Sequence, residues 1–504
     1  MLNKIKNMPK EYKITVIMTF VWGILTHGFA MTNALMYHDG LLVERVGATY
    51  ISGRWFLGLL GEKGLIGALF GTYNMPFLQG MILILLLAVA NVFLFDVLEI
   101  RGNVSCALLS GMLVVFPTII TLFGYVYTMD YYATAVVLSV FAVWIAVRNR
   151  RIWLGTMISI GCIVLSLGIY QAYIGIALTL FMLVYMKQVL SAKDDTFVRQ
   201  LLTGIRYVAI LGVSYVIYMV LNKLFLRIMH VQMVDYQNLN SMGHITLDSL
   251  KQGIKQAYRD MLHPNAEIFP EQMRYAFYAC ILLIGVSFVF AVVKKCKEKR
   301  YTDILLIAFV LVLLPLGLNS IYLAGAIWVY DLMMYSMVLL FMVPFVFLQH
   351  MDSVNVKRVF VCLSCLLIGY TGIYYMSYGN RCYMDAALTQ QKTISWMNQL
   401  IAQIKGTVGY HDDMKIMIFD EPVEDISFSA DTEYNVAITH YGNFDIRNSY
   451  NWTKFMRKWC GFEMQSVTAE ERAVLMQRPE ILKMPSYPKD GSIKIVDDII
   501  IIRF

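Results

Sequence analysis

From residue 13 to 378 the chain is a succession of apolar runs, about 17–24 residues each, separated by short polar breaks. A helix needs roughly 20 apolar residues to cross a hydrocarbon core ~30 Å thick. Lipid offers no partner to an open strand edge or a bare loop, so only helices or closed barrels can span it. Runs of this length therefore predict a helical bundle that crosses the membrane many times. Composition agrees: 58% of residues are hydrophobic and 15% charged, with a mean hydropathy of +0.58. A soluble domain carries roughly 25% charged residues, so the apolar excess faces lipid.

The runs predict eleven spans, at 14–33, 75–97, 104–124, 130–147, 152–169, 171–188, 207–227, 273–293, 303–319, 326–348 and 359–377. Charge gives an independent test. Lys and Arg gather in the N-terminal segment, at Arg101, at Arg148, Arg150 and Arg151, over 187–206, over 294–300, and at Lys357 and Arg358. These are alternate breaks, whereas the breaks at 125–129, 170 and 320–325 hold no Lys or Arg. Basic loops stay in the cytoplasm, so the N-terminus is expected inside and, with an odd number of spans, the C-terminal segment outside. Lys4, Lys6, Lys10 and Lys13 precede a run too long for a cleavable signal core, which predicts a retained signal-anchor. The formal net charge of +7 is dispersed among the breaks rather than gathered in a patch, and no nucleic-acid partner is expected.

Three of the outer segments are long. Residues 34–74 contain a Gly- and Leu-rich stretch too broken to span, read as an interfacial helix with Trp55 at headgroup depth. Residues 228–272 hold a second surface helix over 246–261. The tail, 379–504, changes composition: helical periodicity over 384–404 is followed by β-like runs at 415–419, 434–439 and 493–504, the last punctuated by Asp497 and Asp498. The fold class is thus an all-α polytopic membrane protein, residues 1–378, with a small α/β extracytoplasmic domain, residues 379–504. Eight cysteines show no metal-ligand spacing. Cys362 and Cys365 sit inside an apolar run and read as small hydrophobes, while Cys382 and Cys460 fall where an oxidising compartment allows a disulfide.

Ionisable groups at membrane depth cost roughly 2.5–3.5 kcal/mol each, so they mark sites by default. The candidates collect on the outer side. Asp39 and Glu44 follow the first span, where a carboxylate can act as a general base or be a solvated loop charge. Arg54 follows, with a guanidinium suited to two phosphate oxygens or to snorkelling at the interface. Asp130 opens the fourth span among aromatics, as a site carboxylate or as a capping group favoured by the helix dipole. Tyr170 and Gln171 occupy a turn with hardly any loop, where an unsatisfied polar group is costly. Asp331 and His38 are weaker candidates, for pairing near the interface and for a loop histidine. No Gly-rich phosphate loop, GxSxG, HExxH or convincing DxD appears; the cofactor is unspecified, with a divalent metal left open.

At these residues the sequence resembles the Gtr-type glucosyltransferases of bacterial membranes, which modify O-antigen. The matching elements are Tyr37-His38-Asp39, Ser52-Gly53-Arg54-Trp55, Asp130 in its aromatic setting, Leu167-Gly168-Ile169-Tyr170-Gln171-Ala172-Tyr173-Ile174 and Leu332-Met333-Met334-Tyr335, followed by the helix and strand of the tail. The resemblance implies a GT-C type glycosyltransferase of the bacterial inner membrane, moving a sugar from a polyprenyl-phosphate donor to a cell-surface glycan at the outer face. It implies Asp39 as the base that activates the acceptor hydroxyl and Asp130 as a second site carboxylate, positioning sugar or metal. Arg54 would meet the donor phosphate, with His38, Glu44, Tyr170 and Gln171 as further substrate-binding residues. A flippase or transporter of lipid-linked saccharides is the alternative, although it calls for charges deep along several helices and on both sides of the midplane. A membrane scaffold using the tail as its binding module comes third.

Overall fold

The computed structural model describes residues 9–35, 49–61, 74–192, 196–234, 246–264, 269–270, 272–324, 329–419 and 449–504. The described residues divide into two compact units, one drawn from Met1–Asn33 and Arg45–Asn380, the other from Ala34–Glu44 and Arg381–Phe504.

The first unit is helical. In chain order it contains α1 (Lys10–Thr32), α2 (Trp55–Gly61), α3 (Pro76–Leu98), α4 (Asn103–Val115), α5 (Pro117–Leu122), α6 (Met129–Arg148), α7 (Ile152–Ile169), α8 (Ile174–Ser191) and α9 (Phe197–Ile228). It continues with α10 (Leu247–Leu262), α11 (Gln272–Lys297), α12 (Tyr301–Leu318), α13 (Val343–Leu348) and the first part of α14 (Val354–Gly406). Nine helices among the described residues are long and apolar enough to cross a membrane, and a bent pair at Asn103–Val115 and Pro117–Tyr125 makes a tenth. The bend of 45° falls at Phe116. Its cause is local: a residue before proline is pushed out of the helical region, and Phe116 is extended with Pro117 at the first position of the next helix.

The span expected over 326–348 takes a different form. Tyr335–Met342 is a 3-10 helix that passes into α13, where Pro344 lies in the first turn. At 2.0 Å per 3-10 residue and 1.5 Å per α residue the element reaches only ~25 Å. Every residue from Tyr335 to Leu348 is buried within the protein. It is a central core helix rather than a lipid-facing one, with α8, α11 and α12 packed around it. The helical periodicity seen over 384–404 is the second part of α14 rather than a separate helix.

The basic breaks are knitted together at one end of this unit. Arg148 Nε lies 3.1 Å from Asp96, and Lys187 Nζ lies 3.1 Å from Glu99 and donates to the Val97 carbonyl. Asp303 is paired with Lys295 at 3.0 Å and Arg300 at 2.7 Å, and accepts from Gln200 Nε2 at 3.1 Å. A buried ion pair is tolerated when its remaining hydrogen-bonding positions are filled; the Ala192 carbonyl takes a further Lys295 proton at 3.2 Å.

The second unit joins the remainder of α14 to a four-stranded sheet: β1 (Lys415–Phe419), β2 (Gln465–Ser466), β3 (Ile493–Val496) and β4 (Ile499–Arg503), in the order β2-β1-β4-β3. Between them lie α15 (Ser449–Cys460), α16 (Ala469–Leu475) and α17 (Pro479–Leu482). Strand β1 runs parallel to β2 and β4, while β3 and β4 form a hairpin. Asp497 and Asp498 are its two turn residues, both at positive φ (49° and 63°), the geometry that matches a tight hairpin to the twist of its strands. Alternate residues face opposite ways. Ile416, Ile418, Ile500 and Ile502 pack with Leu400, Ile404 and Trp452, while Met417, Ile499 and Ile501 pack with Leu475 and Ile481. The β-like run at 434–439 lies outside the described residues. No disulfide joins any of the eight cysteines, Cys382 and Cys460 included.

Candidate functional site

At the end of the helical unit away from the ion-pair cluster, the segment 49–54 turns back into α2. Residues Tyr50–Ser52 form a single 3-10 turn, closed by Gly53 in the left-handed region at φ 72°. Two side chains meet this turn. Gln171 Nε2 donates to the Ser52 carbonyl at 2.8 Å and to the Tyr218 hydroxyl at 2.9 Å, and Tyr218 in turn donates to the Gly53 carbonyl at 3.0 Å. A Cβ on Gly53 would lie 2.7 Å from Gln171 Nε2, so glycine is required by space as well as by φ.

Arg54 follows directly. Its guanidinium carbon sits 5.0 Å from the centroid of the Tyr170 ring, a cation–π contact worth about 0.5–2 kcal/mol depending on desolvation. Its Nε is buried and has no hydrogen-bond partner, and the side chain forms no ion pair with a described residue. Tyr127, Tyr132 and Tyr218 lie close enough to interact electrostatically with it. Tyr170 is itself locked in place: it stacks on Tyr132 at 4.5 Å and meets Tyr173 edge-on at 5.1 Å.

The motif 167–173 thus acquires a role at four of its seven positions. Gly168 brings α7 against α2, since a Cβ there would lie 2.8 Å from both Trp55 and Phe56. Tyr170 supports the guanidinium, Gln171 holds the turn before it, and Tyr173 backs Tyr170. Trp55, expected at headgroup depth, is buried within the protein and stacks on Phe225 of α9 at 5.0 Å with the rings 3° from parallel.

Asp130 is buried in the first turn of α6. Thr128 occupies the N-cap position and makes no side-chain cap hydrogen bond. The Asp130 carboxylate accepts from Gln79 Nε2 at 3.4 Å, and the same nitrogen donates to the Val126 carbonyl at 2.8 Å. Gln79 also accepts from the Met75 backbone at 2.8 Å, so one amide ties the starts of α3 and α6 together. No ion pair joins Asp130 to Arg54 among the described residues. His38, Asp39 and Glu44 lie outside the described residues.

Asp331 joins the site more closely than its standing as a lesser candidate suggested. It is 3% exposed and its field reaches both Tyr170 and Tyr173. Thr121 donates to one carboxylate oxygen, the Leu332 amide donates to the other at 2.8 Å, and Thr118 bonds the Asp331 carbonyl at 2.7 Å. No cation pairs with it among the described residues. Tyr132, part of the aromatic setting of Asp130, and Tyr218 also belong to the candidate site; Tyr218 is one tyrosine among 32, and nothing in its local sequence separates it from the others. Among the described residues no group of three or more His, Cys, Asp or Glu side chains converges on a point that a metal ion could fill.

A family model described as Glucosyl transferase GtrII matches residues 28–341, more than half of the chain. The matched stretch includes the turn carrying Arg54, Asp130, the 167–173 motif and Asp331. No curated protein and no solved structure matches the chain. The chain belongs to the GtrII glucosyl transferase family.

Proposed function

We propose that this GtrII-family glucosyltransferase takes glucose from a polyprenyl-phosphate donor and passes it to a cell-surface glycan at the outer face of the bacterial inner membrane. The observation that carries the reading is Arg54. It is a guanidinium backed by Tyr170 and fixed by its turn, with Nε buried and unpartnered. An always-charged planar fork of this kind suits phosphate oxygens, and a donor held in the bilayer by its polyprenyl chain brings a phosphate to this depth. The alternation of basic breaks supports a cytoplasmic N-terminus and an extracytoplasmic 379–504 domain.

In this reading the acceptor hydroxyl oxygen attacks C1 of glucose and its proton passes to the Asp39 carboxylate. The bond from C1 to the phosphate oxygen breaks, and polyprenyl phosphate leaves with the electron pair. Single displacement inverts the anomeric centre. Arg54 meets the negative charge that grows on the leaving phosphate, the kind of interaction that strengthens in the transition state. Asp130 is the second site carboxylate, oriented by Gln79, and His38, Glu44 and Tyr170 complete the substrate-binding surface.

The test is transfer of labelled glucose from undecaprenyl-phosphate glucose to surface glycan in membranes, with Arg54→Ala, Asp130→Asn and Asp39→Asn variants at matched expression. Each should lose at least tenfold in rate. Full activity in all three would overturn the site, and export of lipid-linked saccharide without any transfer would replace the reading with that of a flippase.

A further inference from the structure

Two side chains touch the backbone just before Arg54: Gln171, and Tyr218, whose hydroxyl is also within electrostatic reach of the guanidinium. Gln171 spends both amide protons there, one on the Ser52 carbonyl and one on the Tyr218 hydroxyl, and the Tyr218 proton goes to the Gly53 carbonyl. The relay leaves no donor idle. It reaches across the fold, joining residues 119 positions apart in one bond and 165 in another. Gly53 lets it close: with no Cβ, the backbone comes within reach of both polar groups.

The same face of α9 supports the turn by packing. Tyr218, Asn222 and Phe225 lie at i, i+4 and i+7, so they share one stripe of the helix. Phe225 stacks on Trp55 and packs against Tyr50 at 6.2 Å, on either side of Arg54 in sequence. The Val234 amide adds a bond to the Ile51 carbonyl at 3.1 Å. Aromatic packing therefore fixes where the segment lies, while the Tyr218 hydroxyl fixes the orientation of the peptide leading into Arg54.

We infer that Tyr218 is a positioning residue for donor binding, acting through Gln171 and the left-handed backbone at Gly53 to aim the Arg54 guanidinium at the donor phosphate. The inference rests on Arg54 being the phosphate ligand. Replacing Tyr218 with Phe keeps the ring and its packing and deletes only the hydroxyl. The Gly53 carbonyl and one Gln171 proton are then left unpaired, and the peptide can rotate. A single hydrogen bond in such a place is worth enough to change affinity several-fold.

The experiment measures binding of undecaprenyl phosphate to the full-length protein in lipid nanodiscs, with thermal unfolding as a check on folding. Tyr218→Phe should weaken binding about fivefold with an unchanged Tm, and Arg54→Lys, which keeps the charge but loses the fork, about tenfold. The double variant should bind no more weakly than Arg54→Lys alone, within twofold, because the hydroxyl acts only through the fork. Gln171→Met, of similar length and without donors, should show the same weakening and the same non-additivity, and it carries the test if Tyr218→Phe does not fold. Wild-type affinity in both Tyr218→Phe and Gln171→Met, or a loss that multiplies fully with Arg54→Lys, would overturn the positioning role while leaving the phosphate reading intact. Wild-type affinity in Arg54→Lys would remove the phosphate reading and this inference with it.

Discussion

The two ends of the helical unit treat buried charge in opposite ways. At the basic end every buried carboxylate has a cation: Asp303 lies between Lys295 and Arg300, and half-buried Asp96 and Glu99 are shared among Arg101, Arg148 and Lys187. At the opposite end Arg54 leans on a tyrosine face, and Asp331 is held by a threonine hydroxyl and a backbone amide, with no counter-ion for either among the described residues. Ionisable groups in a membrane protein mark function by default, and this contrast refines the rule. Charges neutralised by one another stabilise the bundle. Charges balanced only by dipoles and rings are the ones proposed to meet a ligand.

The most severe way to break this comparison is to remove one member of the closed cluster. Asp303→Asn leaves Lys295, 1% exposed, without its buried partner, and should cost about 3–5 kcal/mol of stability. Thermal unfolding in detergent should show the loss, while the specific activity of the folded fraction stays at the wild-type level. Arg54→Ala should do the reverse, with Tm lowered by no more than the loss of its cation–π contact and glucosyl transfer down about a hundredfold, the scale of losing one transition-state contact. If the two variants exchanged phenotypes, the division between structural and functional charge would be wrong.

Asp331→Asn sharpens the comparison on the open side. The amide is nearly isosteric; it removes the carboxylate charge and turns one of the two accepting oxygens into a donor, which the Thr121 hydroxyl can meet by rotating. The expected result is a rate loss of about tenfold, a modest 1.4 kcal/mol, with a small change in Tm. A stability loss comparable with that of Asp303→Asn would assign Asp331 to packing instead. The smallest effect belongs to the surface of the second unit, where Lys415 lies 2.5 Å from Glu471. That hydrogen bond holds the Glu471 carboxyl below the usual glutamate range. Its stabilisation is therefore complete at neutral pH and fades as pH falls through the lowered value. Glu471→Gln should flatten the acid limb of the unfolding curve slightly and leave the neutral Tm within a degree or two, as expected of an exposed pair.

Much of the helical unit was legible because its signals are periodic or local. Span length and the alternation of basic breaks can be read without knowing which helices touch, whereas the run read as one span over 104–124 is bent at Phe116. The hairpin turn at Asp497 and Asp498 was visible as two acids inside an apolar run. The site was legible only in part. Asp130, Arg54, Tyr170 and Gln171 stood out as polar groups near span ends, but Gln171 bonds the backbone at 52 and not an open cavity. Tyr218 lies mid-run among other apolar residues, and its importance comes from a glycine 165 positions away. Asp331 looked like an interfacial carboxylate until the fold gave it Thr121 and no cation among the described residues. Trp55 was read for its depth, and its stacking on Phe225 could not be read from the sequence. In each case the deciding partner was remote in sequence.

The buried helix Tyr335–Leu348 has a consequence for how the protein is made. A segment of 14 residues surrounded by protein gains little from lipid on its own. Its residence in the bilayer is underwritten by α8, α11 and α12, two of which precede it by only a few dozen residues during synthesis. Biogenesis of this enzyme is therefore expected to include a cooperative step, in which a weakly inserting segment is captured by helices already in the membrane. Substitutions on the inward faces of those neighbours should then show up as topology errors in newly made chains before they show up as lost stability in finished ones.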